Sequence, residues 1–327
     1  MISIPQSLVN FFLTHPEPVI QYKTRVHILD EDPAGPPLVN LREQIRFSPI
    51  VTRLLSERGS DGKIVHHPYK KWNGSHWILT HLAELEYPSN DNSLLPLRDQ
   101  VFDWLSSDHH RQSIKSINGR VRRCASQESN ALFSSLSLGL MNEQTQRLVQ
   151  DLLLWQWPDG GWNCDKHPEA HHSSFWETLT PLRALSTYMN MTQDPKVKKA
   201  VDRAAEIFLK RHLFKSQSSG EVINHEFVEL HYPIYWRYDI LQALLVMSIA
   251  GFLQDARCSE ALDILESKQL PGGGFPAEGK YYQLTKPTNS IFSLVDWGGV
   301  SKKQMNPWVS INALIVLKAA GRLRIKN

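Results

Sequence analysis

The chain has 327 residues, and its 36 Lys and Arg against 33 Asp and Glu give a formal net charge of +3, too near neutral for a nucleic-acid coat or a polybasic membrane anchor. Hydrophobic residues make up 41% and charged residues 21%, the composition of a folded chain rather than a disordered one. Three cysteines, Cys124, Cys164 and Cys258, are too few for a disulfide framework and are typical of a reducing compartment, so we expect a cytoplasmic protein.

The N-terminal segment, residues 1–18, has no basic region at its start, and polar residues and a proline interrupt its apolar stretch. It therefore predicts neither a signal peptide nor a membrane anchor. The most apolar window, residues 240–253, is too short to span a bilayer. We expect no integral membrane association and no nucleic-acid partner, because the basic residues form no stripe with interleaved aromatic residues.

Two kinds of predicted helix alternate along the chain. One kind is apolar around most of its circumference, which is typical of buried helices, and the other has a single apolar stripe, which is typical of surface helices. Buried helices are predicted to begin near residues 19, 75, 129, 174, 235 and 307. Surface helices are predicted near residues 38, 94, 143, 195 and 257, with segment 4–14 as a sixth. Strand signals and linkers are nearly absent, so we expect one all-α domain over residues 1–327, a double-layered α/α barrel.

A glycine-containing turn recurs at the ends of three predicted helices. Each copy breaks the helix and then supplies a hydrophobic residue, in segments 54–64, 153–162 and 265–275. Glycine allows the positive φ angles that such a turn needs. The repetition predicts an architecture built from one repeated helix–turn unit.

The segment WQWPDGGW, residues 155–162, resembles the QW-type repeat of squalene–hopene cyclases and the GGF turns of protein prenyltransferase β-subunits. KQLPGGGF, residues 268–275, is a weaker copy, and the helix–turn alternation extends the resemblance over residues 17–322. The resemblance implies the (α/α)6 toroid of the terpenoid cyclase and prenyltransferase superfamily. The family's DxDD and DDxxD motifs and its zinc-binding Asp-x-Cys pair are missing, with His172 where that zinc-bearing helix has a cysteine.

Polar residues gather where the buried helices are predicted to begin. Unpaired N–H groups and positive dipole ends make such helix starts attractive to anions. Asp239 lies on an otherwise apolar helix, where a carboxyl must be paired or protonated. We expect it to form a general acid–base pair with His231, with His76 as a further catalytic residue. The alternative is a structural pair of Asp239 with Arg25 or Arg237.

A zinc site is predicted around Cys164, His171 and His172, because thiolate and imidazole are usual zinc ligands and three protein ligands leave a position open. Cys124 or His231 would have to complete the set from another helix. The alternative is that the two histidines cap the following helix or line a pocket without metal.

The ligand is expected to be a small apolar or amphiphilic molecule. Arg123 and helix N-termini would hold an anionic head group, and aromatic residues would line the apolar part: Trp77, Trp176, Tyr232, Trp236 and Tyr238. The tryptophans at helix starts have an alternative role as core wedges.

The sequence therefore favours an enzyme that acts on an isoprenoid-like or other largely apolar substrate by acid–base or Lewis-acid isomerisation, cyclisation or dehydration. Two alternatives remain open. One is a ligand-binding or scaffold toroid without turnover. The other is a carbohydrate-active (α/α)6 enzyme, for which Glu177, Glu229 and Asp239 are the available carboxylates.

Overall fold

The computed structural model describes residues 1–285 and 291–326, and these are mainly α-helical with few strands. The chain divides into two compact units. Unit 1 comprises Met1–Leu54, Lys210–Ile234 and Tyr238–Asn327, and unit 2 comprises Leu55–Leu209 and Tyr235–Arg237. The expected mainly-α composition is confirmed, and the expectation of a single domain over residues 1–327 stays a prediction.

The helices and strands have the following bounds. The helices are α1 (Gln6–Leu13), α2 (Pro18–Lys23), α3 (Pro36–Gln44), α4 (Pro49–Leu54), α5 (Ser75–Glu84), α6 (Leu95–Ser106), α7 (Asp108–Gln112), α8 (Ser126–Ser137), α9 (Glu143–Trp155), α10 (Phe175–Thr192), α11 (Pro195–Leu209), α12 (Ile240–Ala250), α13 (Ser259–Ser267) and α14 (Pro307–Ala319). The strands are β1 (Ile2–Pro5), β2 (Lys115–Ile117), β3 (Arg120–Arg122) and β4 (Leu323–Lys326). No helix within residues 1–285 and 291–326 is both long and apolar enough to cross a membrane.

Unit 2 places three buried helices side by side. Helix α8 packs between α5 and α10, with α6, α9 and α11 against their outer sides. Every side chain of α5 from Ser75 to Ala83 is buried, whereas α9 and α11 bury one stripe each. The alternation of buried and surface helices predicted for this part of the chain is confirmed. Its physical reason is that a helix with apolar residues around its whole circumference must be covered by other parts of the protein on all sides.

Unit 1 repeats the pattern with α2, α12 and α14. Helix α14 contacts α2 and α12, α13 packs against α12 and α14, and α1 and α3 pack against α2. Helix α12 begins at Ile240 rather than near residue 235, because Asp239 is its N-cap, with extended backbone and a carboxylate that accepts the N–H of Gln242 at 2.8 Å. Tyr235 has a φ of +51°, outside the helical region.

The short strands form two pairs. β1 pairs in parallel with β4, and β2 pairs with β3 in an antiparallel hairpin. Asn118 and Gly119 at its tip have φ angles of +50° and +70°, as the favoured two-residue hairpin turn requires. The Asn-Gly pair is therefore a hairpin signal in a chain whose strand signals were expected to be nearly absent.

The three glycine-containing segments adopt one turn. In each, the N–H of a first residue donates to the carbonyl oxygen of the residue four positions later. The N–H of the residue three positions after the first donates to the carbonyl oxygen of the first residue. The pairs are Gly59–Lys63 with Gly62–Gly59, Trp157–Gly161 with Gly160–Trp157, and Leu270–Gly274 with Gly273–Leu270. In all three copies, the residue that donates the second of these bonds is a glycine with positive φ: Gly62, Gly160 or Gly273. The repeat predicted from the sequence is thus a repeat of backbone structure.

The central copy also ties its turn to the neighbouring surface helix. The Gln156 amide donates to the carbonyl oxygens of Gly160 at 2.7 Å and of Ala200 at 2.8 Å, and Arg203 of α11 donates to the Trp157 carbonyl oxygen at 2.8 Å. These bonds fix the loop that leaves the turn, which carries Cys164.

We expect Gly160→Ala to lower the free energy of unfolding by about 2–4 kcal/mol. Its φ is +115°, and an added Cβ would lie 2.4 Å from the Arg203 carbonyl oxygen. Urea unfolding followed by circular dichroism measures the change. The matched control is Gly119→Ala, whose φ is also positive but whose Cβ would meet no atom within 4 Å. Equal losses in both variants would contradict a role for the close approach to α11.

Candidate functional site

Cys124, Cys164 and Glu177 meet in unit 2. The two Sγ atoms and a carboxylate oxygen of Glu177 all lie within 4.8 Å of one another. Cys124 precedes α8, Cys164 follows the central glycine turn, and Glu177 stands in the first turn of α10. The three residues are called the thiol–carboxylate cluster below.

The backbone holds the cluster together from three sides. Arg122 and Asn163 form a parallel β-bridge, and the N–H of Arg123 donates to the Asn163 carbonyl oxygen at 3.2 Å. The loops that carry the two cysteines therefore run side by side. The Ser126 N–H, at the start of α8, donates to Glu177 Oε2 at 3.0 Å, which ties α8 to α10 through the carboxylate itself.

Hydrogen bonds connect the three side chains with one another. The Cys164 thiol lies 3.9 Å from Glu177 Oε1, within the range for a sulfur donor. A hydrogen bond between the thiols, with burial, raises the pKa of Cys124, and the same bond lowers the pKa of Cys164. Burial raises the pKa of Glu177 and outweighs the hydrogen bond from the Ser126 N–H, which on its own would lower the pKa. Two thiols and a half-buried carboxyl are thus kept close together without a cation bonded to any of them in the described part of the chain.

Beside the cluster lies a patch of aromatic and cationic side chains, Lys71, Trp176, Trp236 and Arg237, called the tryptophan–cation patch below. Trp176 adjoins Glu177 in the chain and meets Trp236 edge to face, with ring centroids 5.6 Å apart. Lys71 Nζ lies 5.0 Å and the Arg237 guanidinium carbon 5.2 Å from the centroid of Trp236.

Lys71 has unusual electrostatic surroundings. Within residues 1–285 and 291–326 its ammonium makes cation–π contacts with Trp72 and Trp236 and has no carboxylate partner. Burial, and then the charge of Arg237, lower its pKa. The indole N–H of Trp236 is buried and has no hydrogen-bond acceptor among the described residues. An anionic or hydrogen-bond-accepting group would satisfy both side chains.

Arg123 has its own protein partners. Its guanidinium donates to Glu128 through Nε at 3.0 Å and Nη2 at 2.6 Å, and to Gln127 Oε1 at 2.7 Å. His110 Nε2 lies 3.1 Å from Glu128 and also contacts Arg123. Burial alone would raise the pKa of Glu128, but Arg123 and His110 outweigh it and the pKa is lowered. The guanidinium of Arg123 is thus already bonded to the buried carboxylate of Glu128. The expected binding of an anionic head group by Arg123 stays a prediction.

His76 and Trp77 lie in the interior of unit 2, at the start of α5. His76 Nε2 is 3.0 Å from the Gln127 carbonyl oxygen, and burial lowers its pKa to about 4. Trp77 is fully buried, donates to the Tyr69 carbonyl oxygen at 3.3 Å and packs against Trp72. These contacts are those of core residues, and the catalytic role of His76 and the ligand-binding role of Trp77 stay predictions.

Unit 1 brings His231 and Asp239 together. The fully buried Asp239 carboxylate accepts the backbone N–H of His231 at 3.0 Å and lies 2.7 Å from its Nδ1. Both ring nitrogens, Nδ1 and Nε2, are buried without a hydrogen-bond partner among the residues that the structure describes, so the Nδ1 contact is a close ion-pair approach without hydrogen-bond geometry. The carboxylate thus holds the backbone of His231 beside it and leaves Nε2 for other chemistry. The structure pairs Asp239 with His231 as predicted, and catalysis by the pair stays a prediction.

Tyr232 and Tyr238 flank this pair in the chain but occupy the core. Tyr232 stacks on Trp308 at 5.4 Å and meets Trp297 edge to face. The hydroxyl of Tyr238 donates to the Leu213 carbonyl oxygen. Their predicted roles in substrate binding stay predictions.

His171 and His172 do not join the metal-capable group around Cys164. Both side chains are exposed, their rings lie 4.0 Å apart, and His171 Nδ1 is 2.7 Å from the Glu169 carbonyl oxygen. Cys124 and Glu177 stand near Cys164 instead. Cys124 is one of the two completing ligands expected from the sequence, whereas Glu177 was expected only as a carboxylate of a carbohydrate-active enzyme. The missed signal was its place three residues after the N-cap Ser174, in the first turn of a buried helix.

In comparisons with known proteins, no protein-family model and no curated protein matches the chain.

The low pKa of His76 predicts a pH dependence of stability. Its pKa of about 4 in the folded state lies below the ordinary value of 6.5, so the unfolded chain binds the proton first as the pH falls. The stability that neutral His76 contributes is present above pH 6.5 and lost as the pH approaches 4. Between these values we expect the wild type to lose about 3 kcal/mol more than His76→Gln. Denaturant unfolding over this range checks it, and parallel curves for the two proteins would contradict the assignment.

Proposed function

We propose that the protein is a zinc-dependent enzyme that acts on a largely apolar substrate with an anionic head group. The observation that carries the proposal is the thiol–carboxylate cluster of Cys124, Cys164 and Glu177. Thiolate and carboxylate are both zinc ligands, and three protein ligands leave the fourth tetrahedral position for water or substrate, which is the pattern of catalytic rather than structural zinc.

The surroundings of the cluster suit a metal ion. No described Lys or Arg side chain makes a salt bridge with Glu177, and the thiols bond to each other and to that carboxyl, so all three groups can turn to a cation. The Ser126 N–H fixes one carboxylate oxygen and leaves Oε1, which already faces Cys164, as the ligand atom. Bound zinc would supply Lewis-acid chemistry, suited to isomerisation, cyclisation or dehydration.

The tryptophan–cation patch would bind the substrate. Trp176 and Trp236 offer apolar faces, and Lys71 and Arg237 place two positive charges over one of them. Aromatic faces bind apolar groups and cations, whereas the ammonium and guanidinium groups bind oxyanions. We assign the head group to Lys71, which makes no salt bridge with a carboxylate among the described residues, whereas the guanidinium of Arg123 is bonded to Glu128.

The terpenoid-cyclase-like (α/α)6 toroid is part of the same proposal. It is supported by the three side-by-side buried helices in each unit, by the surface helices against them, and by the three copies of the glycine turn. Such a toroid needs six inner and six outer helices, and the described residues of the two units form three buried helices each.

Acid–base catalysis without metal is the second candidate. The observation that favours it is the buried His231–Asp239 pair with its unpartnered Nε2.

We expect the purified protein to contain about one zinc ion per chain by elemental analysis. Cys124→Ser, Cys164→Ser and Glu177→Gln should each lose most of it, while His171→Ala and Cys258→Ser keep it. Circular dichroism shows whether each variant is folded. Zinc that stays in the Cys164→Ser variant, or a protein without metal after expression in zinc-containing medium, would overturn the Lewis-acid proposal and favour acid–base chemistry at His231 and Asp239.

The head-group assignment predicts a selective loss of anion binding. Decyl phosphate and decanol share an apolar chain and differ in charge, and quenching of tryptophan fluorescence measures the binding of each. We expect Lys71→Gln to raise the Kd for decyl phosphate about tenfold, a loss of about 1.4 kcal/mol, and to leave the Kd for decanol unchanged.

Lys70→Gln is the matched control, because Lys70 is exposed and its ammonium lies near His66 rather than Trp236. It should bind both probes as the wild type does. Equal losses in the two lysine variants would show that general surface charge, and not the tryptophan–cation patch, attracts the phosphate.

A further inference from the structure

The two cysteines of the cluster stand in a geometry that favours a bond between them. Their Sγ atoms lie within 4.8 Å of each other. The β-bridge between Arg122 and Asn163 and the Arg123–Asn163 hydrogen bond hold the two backbone segments side by side. A disulfide forms only where the backbones are already close and rotation about the side-chain bonds brings the sulfur atoms to about 2 Å, so the bridge supplies the main requirement.

The third cysteine lacks these features. Cys258 is fully buried in unit 1, and its thiol faces the Phe252 carbonyl oxygen at 3.5 Å. Cys124 and Cys164 are only half-buried, so a molecule as small as hydrogen peroxide can reach them. Selective oxidation follows exposure and the presence of a second thiol nearby.

We propose that Cys124 and Cys164 are a redox modification site that a peroxide closes to a disulfide when no metal is bound. One thiol gives up two electrons to the peroxide O–O bond, which breaks, and becomes a sulfenic acid while one water is released. The second thiol attacks that sulfur, the S–S bond forms, and a second water leaves. Two thiols and one hydrogen peroxide thus give one disulfide and two waters.

The disulfide would also regulate the cluster, a consequence that rests on the proposed zinc site. The sulfur atoms of a disulfide are no longer thiolates, so two of the three zinc ligands are lost and Glu177 alone cannot hold the ion. Conversely, zinc bound to both thiolates blocks their attack on peroxide. Metal and disulfide are therefore mutually exclusive states of the same two sulfur atoms.

The test is thiol counting on the full chain. After removal of metal with a chelator and full reduction, the denatured protein should show all three cysteine thiols. Hydrogen peroxide treatment of the folded, metal-free protein should remove two of them, and dithiothreitol should restore both. Peptide mapping by mass spectrometry should find the peptides of Cys124 and Cys164 linked within one chain.

Two variants make the result specific. Cys258→Ser should still lose two thiols, because the pair is intact, whereas Cys124→Ser should yield no linked peptides. Three surviving thiols in the wild type, or a link that involves Cys258 or a second chain, would overturn the proposal.

A zinc arm separates this inference from the proposed function. Loading the reduced protein with zinc before the peroxide treatment should preserve all three thiols, and the oxidised protein should take up no zinc until it is reduced. If the disulfide forms but zinc neither binds nor protects, the modification site stands and the zinc-dependent function falls. If zinc binds but the metal-free thiols do not form the disulfide, the zinc-dependent function stands and the modification site falls.

Discussion

The N–H groups at the start of each buried helix have no acceptor within the helix, and burial removes water as an alternative. Acidic and amide side chains supply the acceptors. Glu177 accepts the N–H of Ser126, Asp239 accepts that of Gln242, and Asn306 accepts those of Trp308 and Val309. The requirement places carboxylates inside the protein, at the ends of helices, where a purely apolar core would have none.

Once a carboxylate is held there, it can serve a second purpose with its remaining oxygen. Glu177 uses Oε2 for α8 and turns Oε1 toward Cys164, and Asp239 caps α12 with Oδ1 and accepts the backbone N–H of His231 with Oδ2. Each of these side chains is therefore both a helix cap and part of a cluster capable of chemistry. Glu128 differs, because both of its oxygens are bonded to Arg123 and one also meets His110. Such a saturated buried ion pair is fit to fix structure rather than to react.

The sequence predicted the helices well because hydrophobic periodicity is local. The starts of α5, α10 and α14 lie within a residue of their expected positions, and all three glycine turns adopt the same hydrogen bonds. The start of α12 was wrong by about five residues, because the cap at Asp239 and the positive φ of Tyr235 outweigh apolar periodicity there.

The site was only partly predictable, since it depends on where loops meet. The pairing of His231 with Asp239 could be predicted from a carboxyl that needed a partner on an apolar helix. The meeting of Cys124, Cys164 and Glu177 depends instead on the bridge between Arg122 and Asn163, which no periodicity encodes. His171 and His172 have suitable ligand chemistry, but the course of their loop leaves them exposed.

Charge balance connects the proposed zinc ion with the tryptophan–cation patch. Two thiolates and a carboxylate around a divalent ion carry a net charge of about −1, so zinc binding turns a cluster of neutral or weakly charged groups into an anionic one. Lys71 and Arg237 lie over the same indole and repel each other, which contributes to the lowered pKa of Lys71. An anionic cluster nearby would oppose that repulsion and raise the pKa of Lys71 toward its ordinary value. The zinc cluster would thus keep Lys71 charged for the head group, whereas the negative charges of cluster and head group repel each other, so the two effects on binding oppose one another.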